Sequence, residues 1–231
     1  MTVSAGSLFA DAPLIVAHRG QPGEQENTLA GFEQAIRWGS DMIELDIRRC
    51  GDGTLVVHHD ADLNGIPLTQ MTLEQIRQSK AVPTLAETIS TVKNRIRLDV
   101  ELKEAGHEAT VVELLLTGLD PTQFFLTSFD AALVKSIKQQ WRDVTVGLLV
   151  DAKKPLDQVA LTLWADAQAD ILLPHWSLLP ADVDLTGIPL MPWTVNDTER
   201  IRQLLQQPDI LGVITDLPEQ ALGIRASLKQ S

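Results

Sequence analysis

Short apolar runs alternate along this chain with longer stretches in which apolar residues recur every three to four positions. The runs at 14–17, 42–47, 96–102, 124–127, 145–150, 171–173, 188–195 and 210–214 read as strands of a parallel sheet. Helical periodicity fills 28–38, 72–79, 85–92, 107–116, 131–140, 156–167, 198–206 and 219–228. A further run at 54–58 follows the Gly51-Asp52-Gly53 turn and reads as an edge piece of the second strand. Strand–helix alternation builds right-handed βαβ units. Eight units in 231 residues predict an α/β fold of the (β/α)8 TIM-barrel type, slightly below its usual length of about 250 residues. The competing open doubly wound sheet usually carries G-x-G-x-x-G after its first strand, and this chain does not. No linker or low-complexity block interrupts the pattern, so residues 1–231 read as a single domain.

Several apolar runs end in polar or reactive residues. These are Ala17-His18-Arg19, Ile43-Glu44-Leu45-Asp46, Val100-Glu101-Leu102-Lys103, Trp193-Thr194-Val195-Asn196 and Ile214-Thr215-Asp216. In a barrel such ends converge on one face, where barrel active sites lie. Glu44 and Asp46 share a strand face, and Glu101 and Lys103 repeat the spacing on the next strand. Three carboxylates brought together repel one another, and a hard divalent cation such as Mg²⁺ or Ca²⁺ relieves that repulsion. Polar strand ends paired with nearby Lys or Arg carry about equal weight on spacing alone. His18 is a candidate general acid or base, and Arg19 a candidate phosphate ligand. Of His58 and His59, alternation lets one face the site, and His59 is the better placed, with His58 at the core edge or solvated. His107 reads as a surface residue, and Trp193 can flank a small ligand.

Composition narrows the classes. Acidic residues outnumber basic ones, 31 to 19, giving a formal charge of −12. That balance opposes nucleic-acid binding and association with anionic membranes. An anionic substrate then needs positive charge built into its own site. The single cysteine, Cys50, excludes an internal disulfide and a multi-cysteine zinc site, and is consistent with a reducing, cytoplasmic setting. No apolar run has membrane-spanning length, and 1–12 lacks the features of a secretory signal.

The ordered set of segments resembles the glycerophosphodiester phosphodiesterase family. It runs from Ala17-His18-Arg19-Gly20 and Glu26-Asn27-Thr28 through Ile43-Glu44-Leu45-Asp46 and Asp52-Gly53-Thr54 to His58-His59-Asp60. It continues with Val82-Pro83-Thr84-Leu85, Val100-Glu101-Leu102-Lys103, Ser128-Phe129, Trp193-Thr194-Val195-Asn196 and Gly212 to Pro218. The resemblance implies a phospholipase-C-like barrel enzyme that hydrolyses glycerophosphodiesters to glycerol 3-phosphate and an alcohol. It implies His18 and His59 as the acid–base pair, with Arg19 and Lys103 at the substrate, beside which the strand-end Trp193 is placed as a further substrate contact. It implies Glu44, Asp46 and Glu101 as ligands of one divalent cation, with Glu26 orienting Arg19 or touching the metal. Gln25 stands where the family usually has proline. The stretch between Asp60 and Pro83 is short, so only a small insertion follows the second strand and little chain is left for a lid. A related barrel acting on a lipid, such as a lysophospholipase D, and a catalytically silent binding barrel are the alternatives. The first predicts an exposed apolar lip that the sequence does not announce, and the second a missing site residue.

Overall fold

The computed structural model describes Phe9 and residues 13–153, 155–179, 185 and 187–229. Its strands and helices largely alternate in chain order, apart from the segment at 50–96 between the second strand and the sixth. They are β1 (Leu14–His18), α1 (Leu29–Trp38), β2 (Met42–Arg49), β3 (Leu55–Val57), β4 (Asp62–Leu63), β5 (Ile66–Pro67), α2 (Leu73–Arg77), α3 (Leu85–Val92) and β6 (Arg97–Leu102). Then follow α4 (Glu108–Gly118), β7 (Phe124–Ser128), α5 (Ala131–Gln140), β8 (Val146–Val150), α6 (Gln158–Asp166), β9 (Ile171–Pro174), α7 (Thr198–Leu204), β10 (Gly212–Thr215) and α8 (Pro218–Leu228). Seven strands pair in parallel in the order β10-β1-β2-β6-β7-β8-β9. The expected edge piece is β3, antiparallel to β2 with Ile47 opposite Val57.

The helices begin where the sequence supplies caps. Thr28 accepts the Gly31 N–H at the start of α1, and Thr84 and Glu87 form a reciprocal capping box on α3. Gly39, in the left-handed region at φ 81°, ends α1. β4 and β5 form a small hairpin over Asn64-Gly65, both at positive φ, and a 3-10 turn at Leu68–Gln70 leads into α2.

The expected seventh strand is not a regular one. Pro189 and Pro192 lack the N–H groups a continuous ladder needs. The segment is held by isolated parallel bridges, Leu172 to Leu190, His175 to Trp193 and Leu190 to Ile210. Its remaining amides still pair on both sides. Met191 N–H donates to Leu172 O at 3.0 Å, and Val195 N–H to Ile214 O at 2.9 Å. The two outer strands of the parallel sheet, β9 and β10, are thereby joined through it.

Two apolar layers follow from strand alternation. Ile43, Leu45 and Ile47 of β2 point outward and pack against the helices with Phe32, Leu85 and Val111. Leu14, Val16, Met42, Phe125, Leu149, Leu173, Met191 and Ile214 form a separate cluster inside the curl. Gly147 belongs to that interior, where an added Cβ would fall 2.3 Å from Leu173 Cδ1. The interior is therefore packed at one end, and the inward positions turn polar only toward the strand C-termini.

Candidate active site

The site begins where inward alternation runs out of apolar residues. Along β2 the inward side reads Met42, Glu44, Asp46, and along β6 Asp99 and Glu101, with Lys103 next in line. Parallel register sets His18 beside Glu44, Glu44 beside Asp99, Asp46 beside Glu101, and Glu101 beside Thr127. One cavity of about 230 Å³ is lined by His18, Arg19, Glu44, His59, Asp99, Glu101 and Lys103 on one side and by Phe129, Asp151 and Trp193 on the other.

Carboxylate oxygens of Glu44, Asp46 and Glu101 lie within 4.8 Å of one another, and all three residues are buried. Lys103 Nζ lies 2.8 Å from Asp46 Oδ1 and 2.7 Å from Glu101 Oε1. Arg19 Nε lies 3.3 Å from Asp46 Oδ2, and Arg19 Nη1 lies 3.3 Å from Glu26 Oε2. Burial pushes the Glu44 carboxyl well above its usual range, and the Asp46 and Glu101 charges push it further. Burial also raises Glu101, to about 7, against the pull of Lys103. Asp46 behaves in the opposite way. Burial would raise it, but Lys103 and Arg19 outweigh burial and its pKa falls. Burial likewise opposes charge on Lys103, and the flanking Glu101 and Asp46 carboxylates raise its pKa regardless. Two cations therefore leave the three-carboxylate cluster incompletely balanced, most of all at Glu44. An oxygen-only donor set with residual negative charge fits a hard divalent ion.

His18 and His59 are each held by a carboxylate. His18 Nδ1 lies 2.7 Å from Asp216 Oδ1, and His18 Nε2 lies 3.9 Å from Glu44 Oε2. His59 Nδ1 lies 2.8 Å from Asp60 Oδ1. A carboxylate accepts, so each Nδ1 carries a proton, and Nε2 is left as the atom that exchanges one. Burial lowers the His59 pKa, with Lys103 adding to it, which favours the neutral ring. His59 follows β3 in a loop fixed by two bonds: His58 N–H to Asp46 O at 3.0 Å, and Arg48 Nε to His59 O at 2.8 Å.

The two histidines separate as expected: His59 lines the cavity, and His58 is buried, which is the core-edge alternative rather than the solvated one. His107, expected at the surface, is buried too, and burial lowers its pKa. A polar residue at the start of α4 reads as exposed, yet the fold buries it. Cys50 is buried and donates to Asp52 and to Thr54 O, and burial raises its pKa, which disfavours the reactive thiolate. Glu26 contacts Arg19 and lies outside the carboxylate cluster. Trp193 lines the cavity with its indole N–H donating to Leu173 O at 2.8 Å.

Four residues near the chemistry carried no role in the sequence reading. Asn27 is buried and donates from Nδ2 to Asp46 Oδ2 at 2.7 Å. Asp99 is buried, accepts the Thr127 hydroxyl at 2.8 Å, and has its other oxygen unpaired among the described residues. Burial, with Glu44 nearby, holds its pKa well above the carboxylate range. Asp216 grips His18 and is itself gripped by Asn196, whose Nδ2 donates to Asp216 Oδ2 at 2.6 Å. Asp151 forms part of the far wall. Asp99 was findable, since it stands two positions before Glu101 on the same strand face.

The backbone at the head of the site is unusual. Arg19 has φ 53° and Asn27 φ 55°, a left-handed conformation uncommon outside glycine. The strain turns the chain so that the Arg19 N–H donates to Glu44 Oε2 at 3.1 Å.

Residues 18–220 match the model of the glycerophosphoryl diester phosphodiesterase family. The protein belongs to that family. Among curated relatives it is similar to a glycerophosphodiester phosphodiesterase of Caldanaerobacter subterraneus, 27% identical, with 91% of this chain and 97% of the relative aligned. It shares 27% identity with a glycerophosphodiester phosphodiesterase of Bacillus altitudinis, over 93% and 99% of the two chains. Among solved structures, an Oleispira antarctica phosphodiesterase in complex with the product sn-glycerol-3-phosphate superposes with a TM-score of 0.81 at 24% identity, covering 94% of this chain and 98% of that one. A glycerophosphodiester phosphodiesterase from Parabacteroides distasonis superposes at 0.80 with 22% identity, covering 94% and 98%. These likenesses establish the α/β fold with its curled parallel sheet, with which the expected TIM-barrel type is consistent.

Proposed function

We propose that the protein is a metal-dependent hydrolase that cleaves glycerophosphodiesters into sn-glycerol 3-phosphate and an alcohol. The observation that carries this reading is the pairing of His18 with Asp216 and of His59 with Asp60 around one cavity that also holds Arg19, Glu44 and Glu101. Family membership and the product-bound relative support the same reaction class.

The residues divide the work. Arg19, fixed by Glu26 and Asp46, presents its guanidinium to the phosphodiester. Glu44, Asp46 and Glu101 would hold one Mg²⁺ or Ca²⁺, which supplies Lewis-acid stabilisation of charge on the phosphate oxygens. Lys103 keeps Asp46 and Glu101 in place and adds positive charge at the cavity wall. One histidine takes the proton of the substrate's glycerol 2-hydroxyl as that oxygen attacks phosphorus. The other gives a proton to the departing alcohol. The cyclic phosphate so formed is opened by water with the histidine roles reversed. Tethering of the nucleophile favours this route over direct attack by water. Trp193 borders the substrate.

The reading treats residues 1–231 as one barrel domain acting on a small water-borne substrate, in a cytoplasmic setting, with no nucleic-acid partner and no stable membrane attachment. Among the described residues no helix is long and apolar enough to cross a membrane. The β4–β5 hairpin and α2 are then the short insertion after the second strand, too small to fold over the cavity. The test is turnover of glycerophosphocholine and glycerophosphoethanolamine with added Mg²⁺ or Ca²⁺ and with excess chelator. Release of glycerol 3-phosphate that stops on chelation is expected. No release under any metal condition rejects the assignment.

A further inference from the structure

The two cavity histidines are anchored unequally. His18 is tied across the sheet to Asp216, which stands just past β10. His59 has Asp60 as its ring partner, and Asp60 is the next residue, with a side chain 70% exposed. An exposed pair within one loop moves with that loop and does little to fix it. What holds His59 against the sheet runs through its backbone. Arg48 stands two positions beyond Asp46 on β2, with its side chain mostly covered. Its Nε donates to His59 O at 2.8 Å, and its Nη1 donates to Glu104 Oε2 at 3.2 Å. The other Glu104 oxygen accepts the Arg49 N–H at 3.2 Å. Glu104 follows Lys103 just past β6, so one guanidinium joins the end of β2 to the loop after β3 and to the loop after β6.

We infer that Arg48, clamped by Glu104, is the positioning residue for His59. It fastens the loop after β3 to the strand that carries Glu44 and Asp46, and so sets the acid–base ring relative to the carboxylate cluster. The inference rests on the phosphodiesterase reading and adds to it a residue that acts from outside the cavity, since Arg48 is not among the described residues lining it. A guanidinium suits this task because its donors form a rigid planar fork, so one side chain holds a carbonyl and a carboxylate at a set angle. A lysine nitrogen offers a single point of attachment. Glu104 keeps the fork from turning, because its second oxygen is itself fixed on the β2 backbone. The other anchor of the loop, His58 N–H to Asp46 O at 3.0 Å, leads to the same strand. Loss of one anchor of two leaves the ring free to shift, and a shift of about 1 Å in a reacting group can cost about 10²-fold in rate.

The test is a mutant cycle in the metal-loaded protein with glycerophosphocholine as substrate. Arg48→Met keeps an unbranched side chain but has no donor. It is expected to lower kcat by about 10- to 100-fold with KM within about threefold, since Arg19 still meets the phosphate. Glu104→Gln leaves Arg48 its bond to His59 but loosens the clamp, and is expected to lower kcat by about three- to tenfold. In the His59→Ala background neither change should reduce the residual rate further, because Arg48 acts through that ring. The midpoint of divalent-ion protection against heat should stay within about threefold of wild type in Arg48→Met, the result for a strand that still presents its carboxylates. Wild-type kcat in Arg48→Met, an equal loss in the His59→Ala background, or a loss of metal affinity as large as the loss in kcat overturns the assignment. Should Arg48→Met not fold, Glu104→Gln decides alone: a loss that vanishes in the His59→Ala background supports the role, and no loss or one that persists overturns it. A wild type that turns over no glycerophosphodiester under any metal condition rejects the phosphodiesterase reading itself, and with it the role of Arg48.

Discussion

His18 Nδ1 and Asp216 Oδ1 are 2.7 Å apart although 198 residues separate them in the chain. The contact joins the ends of the first and last strands of the parallel sheet. It fixes the ring orientation of His18 and the tautomer that leaves Nε2 toward the cavity. Asp216→Asn is therefore expected to lower kcat by about 10²-fold or more with little change in KM, because an amide can stabilise the wrong tautomer. Asp216→Glu should recover part of the loss. A kcat equal to wild type in Asp216→Asn would show that the bond is only structural.

His59→Ala should reduce turnover by about 10²-fold, the usual scale for a proton-transfer group. His58→Ala should leave turnover largely intact and lower the melting temperature, since that ring is buried. Reversed effects in paired kinetic and thermal assays would mean that the loop after β3 is placed one residue out of register.

Asn27 holds Asp46 through its side-chain amide. Asn27→Ala should weaken divalent-ion affinity by about 10- to 100-fold, the range found for residues that orient a ligand. Titration with the metal, read by protection against heat, measures this without reliance on turnover. Unchanged affinity would remove Asn27 from the site.

The carboxylate cluster gives a prediction in pH. Burial raises the folded pKa of Glu101 to about 7, above the ordinary Glu range. A raised acid pKa favours folding while the group is protonated, so that contribution is fully present below the unfolded value and is lost as pH rises through the folded one. In chelator, Glu101→Gln should match wild-type stability near pH 4 to 5 and exceed it at pH 8 by on the order of 3 kcal/mol. Denaturant melts of both proteins across that range check the divergence. With saturating metal the order should reverse, because the wild type then keeps a ligand that the variant lacks.

Strand and helix order was legible because buried parallel strands and one-sided helices leave different apolar periods. α5 falls on the run at 131–140, and α3 on the run at 85–92. The seventh strand misled because Pro189 and Pro192 do not change its apolar character, only its hydrogen bonding. The carboxylate cluster was legible because i, i+2 spacing on adjacent strands is enough to bring Glu44, Asp46 and Glu101 together. The partners Asp216 and Asn27 were not, because their roles depend on contacts across the sheet and across a left-handed turn. Asp151 and Phe129 lie one alternation step past the ends of β8 and β7, where a strand-based reading stops. His107 shows the reverse error, since a polar residue at a helix start is not thereby exposed.

The broken ladder at 188–195 makes this arc the seam of the sheet. With two prolines and only isolated bridges, fewer amide pairs must separate for it to open than between β2 and β6, which match over six consecutive positions. Native-state hydrogen exchange should therefore reach Leu190, Met191 and Trp193 by local opening, well before the amides of β2 and β6. Trp193 rides on that seam, so each opening would also dismantle part of the substrate wall. A bound substrate should then slow exchange there more than anywhere else in the sheet, tying occupancy of the cavity to closure of the fold.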